Sequence, residues 1–273
     1  MKRTQIAINS VSTTQQNLEE ALAAYAEAGF INVEFVLPLV KDWIAQGHTL
    51  DDVRALLERH GLRSIGGFQT HVACFAPPEA LHENHDLFRE NVRLIHELGG
   101  GTLVVGTDGP AQPSVEALDT VVAVFGELLR QIEELNVRIA LEFNWSPLIK
   151  SLHSAAYVVQ RVNHPQLGIL FDPAHYHTTV TKFEHLTAEI VPLIKHVHLN
   201  DMSNKPGELS NCNSDRVLPG QGIIDLRAMI DRLEEYGYNG YYSIEMFNAA
   251  LWQLPTKEAA TQCYQSLLPL CED

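Results

Sequence analysis

The sequence predicts a single closed (β/α)8 barrel, the TIM-barrel architecture, as one domain over residues 1–273. Three observations carry that expectation. Short apolar runs alternate with longer amphipathic ones from end to end, the pattern of a parallel sheet with helical crossovers. Helix-like runs repeatedly stop at a glycine that leads straight into an apolar run, as at Gly29-Phe30, Gly61-Leu62 and Gly237-Tyr238. That is the short αβ loop of a parallel sheet. Finally, a barrel of this kind takes about 250 residues, and no break in composition divides the chain.

The elements follow in order. Gln5–Ser10 reads as the first strand. Asn17 caps a helix to Ala28, and Ile31–Val36 is the second strand. Thr49 caps a helix to His60, and Leu62–Gly66 is the third strand. A helix over His82–Leu98 leads to the fourth, Thr102–Val105. Ser114 caps a helix to Leu135, and Arg138–Phe143 is the fifth strand. Ser154–Val162 is helical and Leu167–Asp172 is the sixth strand, stopped by Pro173, which cannot donate to a ladder. A helix over Phe183–Val191 precedes the seventh, Ile194–Leu199. A long loop, 200–222, leads to a helix over Asp225–Tyr236 and the eighth strand, Tyr241–Glu245; Lys257–Leu268 is the last helix. Gly220-Gln221-Gly222 does not follow a strand, so it reads as a turn of the long loop and not as a phosphate cradle.

Four of these strands end in chemistry. Glu142, Asp172, His198 and Glu245 sit at the carboxyl ends of strands five to eight, neighbours around one side of a barrel mouth. Side-chain alternation supports inward placement. If Glu142 and Ala140 point in, Ile139 and Leu141 face the helices; if Glu245 and Ser243 point in, Tyr242 and Ile244 face out. If His198 points in, Val197 and Leu199 face out, and His196 lies deeper on the same side. Each residue alone has a structural reading: Asp172 as a turn or cap, Glu142 and Glu245 as ion-pair partners, His198 as a buried barrel histidine. Together, three carboxylates converging at low dielectric repel one another unless a cation sits between them. Only Lys195 and Arg216 lie near these strand ends in sequence. One divalent metal ion therefore accounts for the set, and mixed oxygen and imidazole donors suit Mn²⁺, Co²⁺, Zn²⁺ or Mg²⁺.

Composition narrows the function classes. The net charge of −15 opposes a phosphate-backbone partner, so no nucleic acid is expected. No run approaches the ~20 apolar residues of a membrane span, and the start carries no signal-like stretch. Cys74, Cys212, Cys263 and Cys271 are scattered, with no Cys-x-x-Cys, and read as reduced thiols of a cytoplasmic protein. Barrel enzymes often pair through helix faces, so a homo-oligomer is compatible with this chain.

The segments Ala140-Leu141-Glu142-Phe143, Phe171-Asp172-Pro173-Ala174-His175, His196-Val197-His198-Leu199 and Ser243-Ile244-Glu245 resemble the xylose isomerase-like TIM barrels. Ala-Leu-Glu-Phe at 140–143 and the stretch Asp215–Leu226 are most similar to the inosose isomerases of that superfamily. The resemblance implies that Glu142, Asp172, His198 and Glu245 ligate the metal, and that His175 and Arg216 contact oxygens of a small polyol or ketose. It weakens toward ketohexose 3-epimerases, because Leu148 stands where those enzymes carry a second glutamate. It fails toward endonuclease IV, whose extra metal ligands are missing: strand four ends Val105-Gly106-Thr107 and the long loop reads Asp215-Arg216-Val217. His71 is matched there but cannot hold a further metal alone.

The expected chemistry is proton transfer beside a carbonyl, through a cis-enediolate, with Glu142 and Glu245 as the acid/base pair. His175 either contacts substrate or orients Asp172; Arg216 either holds a substrate hydroxyl or neutralises the site. Trp145, Tyr176 and Phe247 wall a ring substrate or simply pack their loops, and Glu34 and His71 line the far side of the mouth. The reading is a keto-cyclitol or ketose isomerase or epimerase. Its rivals are a dehydratase of inosose or 3-dehydroshikimate on the same scaffold, a non-catalytic sugar-binding barrel, and an endonuclease.

Overall fold

The computed structural model describes residues 1–14 and 17–272. Eight parallel strands close into a barrel, each paired with its neighbours in sequence and the first with the eighth. They are Ile6–Asn9, Asn32–Val36, Arg63–Val72, Thr102–Thr107, Arg138–Glu142, Leu167–Phe171, Ile194–Leu199 and Tyr242–Ile244. The helices outside them are Leu18–Ala28, Leu37–Ala45, Leu50–Arg59, Pro78–Glu97, Val115–Gln131, Leu152–Val162, Pro173–Thr178, Leu226–Glu235 and Thr256–Leu267.

Local chemistry explains most boundaries. The Asn17 side chain accepts from the N–H groups of Glu19 and Glu20, and Thr49 and Asp52 form a reciprocal capping box. Gly29 closes the first helix at φ +111°, a left-handed conformation that lets the chain turn directly into strand two.

Three expectations need correction. The helix over Phe183–Val191 is absent; that stretch holds two 3₁₀ turns, Phe183–His185 and Val191–Leu193. The helix after strand six is instead Pro173–Thr178, with Asp172 as its N-cap and Pro173 in its first turn. Strand three runs to Val72, six residues past Gly66, with an irregular register between Gly67 and Thr70. A helix over Leu37–Ala45 follows strand two at once, with a proline in its first turn.

Two apolar layers separate on the barrel wall. The outer layer, between strands and helices, contains Ile139, Leu141, Val197, Leu199, Tyr242 and Ile244, as alternation predicted. The inner layer is small: Phe68, Val104, Ala140 and Leu170 are its buried members. The rest of the interior is polar, including Asn9, Glu34, His196, His198 and Ser243.

The long loop after strand seven is held at its base by a two-residue antiparallel ladder, Asp201–Met202 against Arg216–Val217. Buried Asp201 accepts from the backbone N–H groups of Gly220, Gly222 and Ile224. A Cβ on Gly222 would lie 2.3 Å from Asp201 Oδ1, so the turn needs glycine there. All four cysteines are free. Among the described residues no helix is long and apolar enough to cross a membrane.

Candidate active site

The four strand-end residues converge. Glu142, Asp172, His198 and Glu245 are all buried, and each offers one donor atom within 4.8 Å of the others. Glu142 is the last residue of strand five, and Asp172 follows strand six directly. His198 lies beside Ser243 in the parallel register, which sets Glu245, two residues on, above it at the mouth.

Asp172 divides its oxygens between two tasks. Oδ1 accepts from the Ala174 N–H (2.7 Å) and caps the short helix; Oδ2 faces the Arg216 guanidinium at 3.1 Å. Asn200 Nδ2 bridges both oxygens at 3.1 and 3.2 Å. Burial, the largest single effect, would raise the Asp172 carboxyl; Arg216, His175, His198 and the Asn200 hydrogen bond together outweigh it and hold the group well below the usual carboxylate range. The cap reading of Asp172 is thus met by Oδ1, and Oδ2 stays turned toward the cluster.

Arg216, fully buried, is committed to the site's acids. Its Nη1 donates to Glu245 Oε2 (2.7 Å) and to the Glu245 carbonyl (3.0 Å), and its Nε to the Cys212 carbonyl (2.7 Å). Of the two roles open for it in the sequence, this geometry displays charge neutralisation. Asn9 Nδ2 donates to the other Glu245 oxygen at 3.2 Å.

The His175 ring reaches Glu142, its Nε2 2.9 Å from Oε1, while its backbone N–H donates to Asp172 Oδ1 at 3.4 Å. Burial pushes the Glu142 carboxyl above its ordinary value, and His175 works against that rise. A buried carboxyl with a raised pKa is suited to exchanging protons near neutrality.

His198 stands between two sets of acids. Its Nε2 bonds both oxygens of Glu34 at 3.2 Å. Its Nδ1 is buried without a hydrogen-bond partner, 3.1 Å from Glu245 Oε2 and 3.8 Å from Asp172 Oδ2. An imidazole nitrogen left unpaired among three carboxylates is what a divalent ion would satisfy. The donor set therefore fits a metal.

Above the cluster opens a cleft of about 290 Å³, lined by Glu142, Glu245, His175 and Arg216, with Phe68, Trp145 and Phe247 as an aromatic wall. Phe68 lies 5.7 Å from the Trp145 ring and 6.3 Å from that of Phe247, centroid to centroid. Three residues named as candidates for the mouth are not among those that line this cleft. His71 is outside the lining, its ring edge-on to Trp145. Tyr176 packs against Phe171 in the outer layer. Glu34 is 1% exposed and lies beneath the site, inside the barrel. Phe68, Asn144 and Asn213 line the cleft without having been singled out in the sequence; Phe68 was hidden by the early end drawn for strand three.

A family model, xylose isomerase-like TIM barrel, matches residues 22–266. The chain belongs to that family. It is similar to the inosose isomerase of Bacillus subtilis, 34% identical over 141 residues, 50% of this chain and 50% of that protein. The chain thus spans about half the length of the inosose isomerases it matches. It is also similar to a 3-dehydroshikimate dehydratase of Pseudomonas aeruginosa, 28% identical across 98% of this chain and 41% of that one. Among solved structures, an IolI protein determined with a zinc atom bound overlays with a TM-score of 0.87 over 97% of both chains, at 24% identity. That likeness shows the fold.

Proposed function

We propose that this protein is a divalent-metal-dependent isomerase of a neutral cyclic keto-polyol, of the inosose type. The observation that carries the reading is the unpaired Nδ1 of His198 facing three buried carboxylates at the floor of an open cleft. The inosose isomerase relatives and the zinc-bound IolI neighbour support it. Glu142, Asp172, His198 and Glu245 would hold the ion. When bound, the ion supplies Lewis-acid stabilisation of negative charge on substrate oxygens.

The chain's own residues then divide the proton work. Glu142 and Glu245 reach the cleft from strands three apart and act as the acid/base pair. One carboxylate takes the proton from a hydroxyl-bearing carbon beside the carbonyl. The other delivers a proton to the former carbonyl carbon, while the hydroxyl proton passes between the two oxygens. His175 steadies Glu142, and Arg216 with Asn9 steadies Glu245. Phe68, Trp145 and Phe247 offer an apolar wall to the C–H face of a ring.

Charge favours a neutral substrate. Two basic side chains, Arg216 and His175, are found among the described residues of the lining, and both already face acids of the site. A substrate carboxylate such as that of 3-dehydroshikimate would find no unspent basic side chain among the described lining residues. The dehydratase relative, aligned across nearly the whole chain, keeps elimination of a β-hydroxyl as the second reading.

The test is zinc- or manganese-loaded protein in D₂O with a panel of inososes, followed by NMR and mass spectrometry. Deuterium entering beside the carbonyl, with product mass otherwise unchanged, is the expected result. Loss of water from the product would establish the dehydratase. No exchange with any inosose would end the keto-cyclitol assignment.

A further inference from the structure

Glu34 is a carboxylate inside the barrel with no lysine or arginine beside it among the described residues. It is 1% exposed, and its polar contacts are two imidazoles: His198 Nε2 at 3.2 Å from both oxygens, and His196 Nε2 at 3.1 Å from Oε2. Burying a lone carboxylate costs several kcal/mol even after the protein relaxes. An apolar side chain would fill the same space without that cost. Glu34 is not at the cleft, so its charge serves something other than substrate contact.

We propose that Glu34 is a positioning residue for the metal centre. A carboxylate accepts; it does not donate. Glu34 therefore requires the proton of His198 on Nε2, and this leaves Nδ1 as a lone pair aimed at Glu142, Asp172 and Glu245. The bond is split between both Glu34 oxygens, which also fixes the plane of the ring. His196 Nε2 lies 3.1 Å from Glu34 Oε2 without completing a hydrogen bond, so the bonds that place Glu34 are those to His198. The device joins strand two to strand seven across the barrel, 164 residues apart. It rests on the metal reading above, and its test separates the two.

The experiment measures zinc and cobalt affinity by competition with a chelator, in the native protein and in Glu34→Gln and Glu34→Leu. The native protein should bind one equivalent. Outer partners of ligating histidines typically contribute 10–100-fold in affinity. Glu34→Gln, which keeps an acceptor, should fall near about 10-fold weaker, and Glu34→Leu near about 100-fold. Thermal melting should not track this order, because the leucine variant also relieves a buried charge. Native affinity in both variants would reduce Glu34 to a structural group and overturn the proposal while sparing the metal site. No binding by the native protein would overturn both. A native stoichiometry of two, falling to one in the variants, would make Glu34 a ligand and also overturn it. If neither variant folds, ¹⁵N NMR of the zinc-loaded native protein decides. A protonated Nε2 on His198 supports the proposal, and a protonated Nδ1 sinks it.

Discussion

Strand five shows Ile139 and Leu141 to the helices, and Ala140 and Glu142 to the barrel interior. Strand eight does the same with Tyr242 and Ile244 against Ser243, with Glu245 following at the mouth. The outer layer is continuous and apolar. The inner one sets a small apolar cluster, Phe68, Val104, Ala140 and Leu170, among acids, imidazoles and amides. The outer side stabilises by area removed from water; the inner side spends part of that stability to hold charges close together. The division explains how one wall can carry a reactive mouth: alternation keeps the two jobs one residue apart.

The sharpest way to break this division is at the acid/base pair. Glu142→Gln and Glu245→Gln should each lower turnover by about 10²–10⁴-fold, the usual contribution of a positioned acid or base, with an intact circular dichroism spectrum. Near-native turnover in either would show that the pair is misassigned. Next comes Arg216→Met, which leaves Asp172 and Glu245 buried beside each other without their cation. Breaking such a pair costs about 3–5 kcal/mol. Added zinc should recover part of the loss and raise the melting temperature more than it does in the native protein.

On the outer side, Leu141→Ala should lose about 2–5 kcal/mol in denaturant melts while metal affinity per folded molecule stays native. A large fall in affinity would mean the two layers are coupled. The smallest effect is expected at Thr49→Ala, which removes a helix cap far from the mouth. A loss of about 0.5–2 kcal/mol, with no change in turnover, completes the series.

The legibility of the chain follows the same division. The four strand-end ligand candidates were visible because period-two alternation places them independently of everything else. The outer layer was visible for the same reason. Partnerships across the barrel were not. Nothing near Glu34 in sequence says that His198 faces it, and nothing near Arg216 says that it joins Asp172 to Glu245. Those contacts depend on barrel closure. Asn9 and Asn200 were missed because an amide at a strand end reads as a turn signal. The helix over Phe183–Val191 failed for a local reason. Its apolar spacing is helical, but Pro192 biases Val191 away from the helical region, and the stretch settles into two 3₁₀ turns before strand seven.

The long loop is tied at both ends and again between them, by Lys205 to Asp215 and by the Cys212 carbonyl to Arg216. Its root is the two-residue ladder, and its return is pinned by the Asp201 carboxylate. Cys212 and Asn213 ride on the span between those ties and look into the cleft, while Arg216 stays with the wall. Residues 207–214 thus belong to the site as well as to the loop: a change that displaces the Cys212 carbonyl also loosens the hold of Arg216 on Asp172 and Glu245.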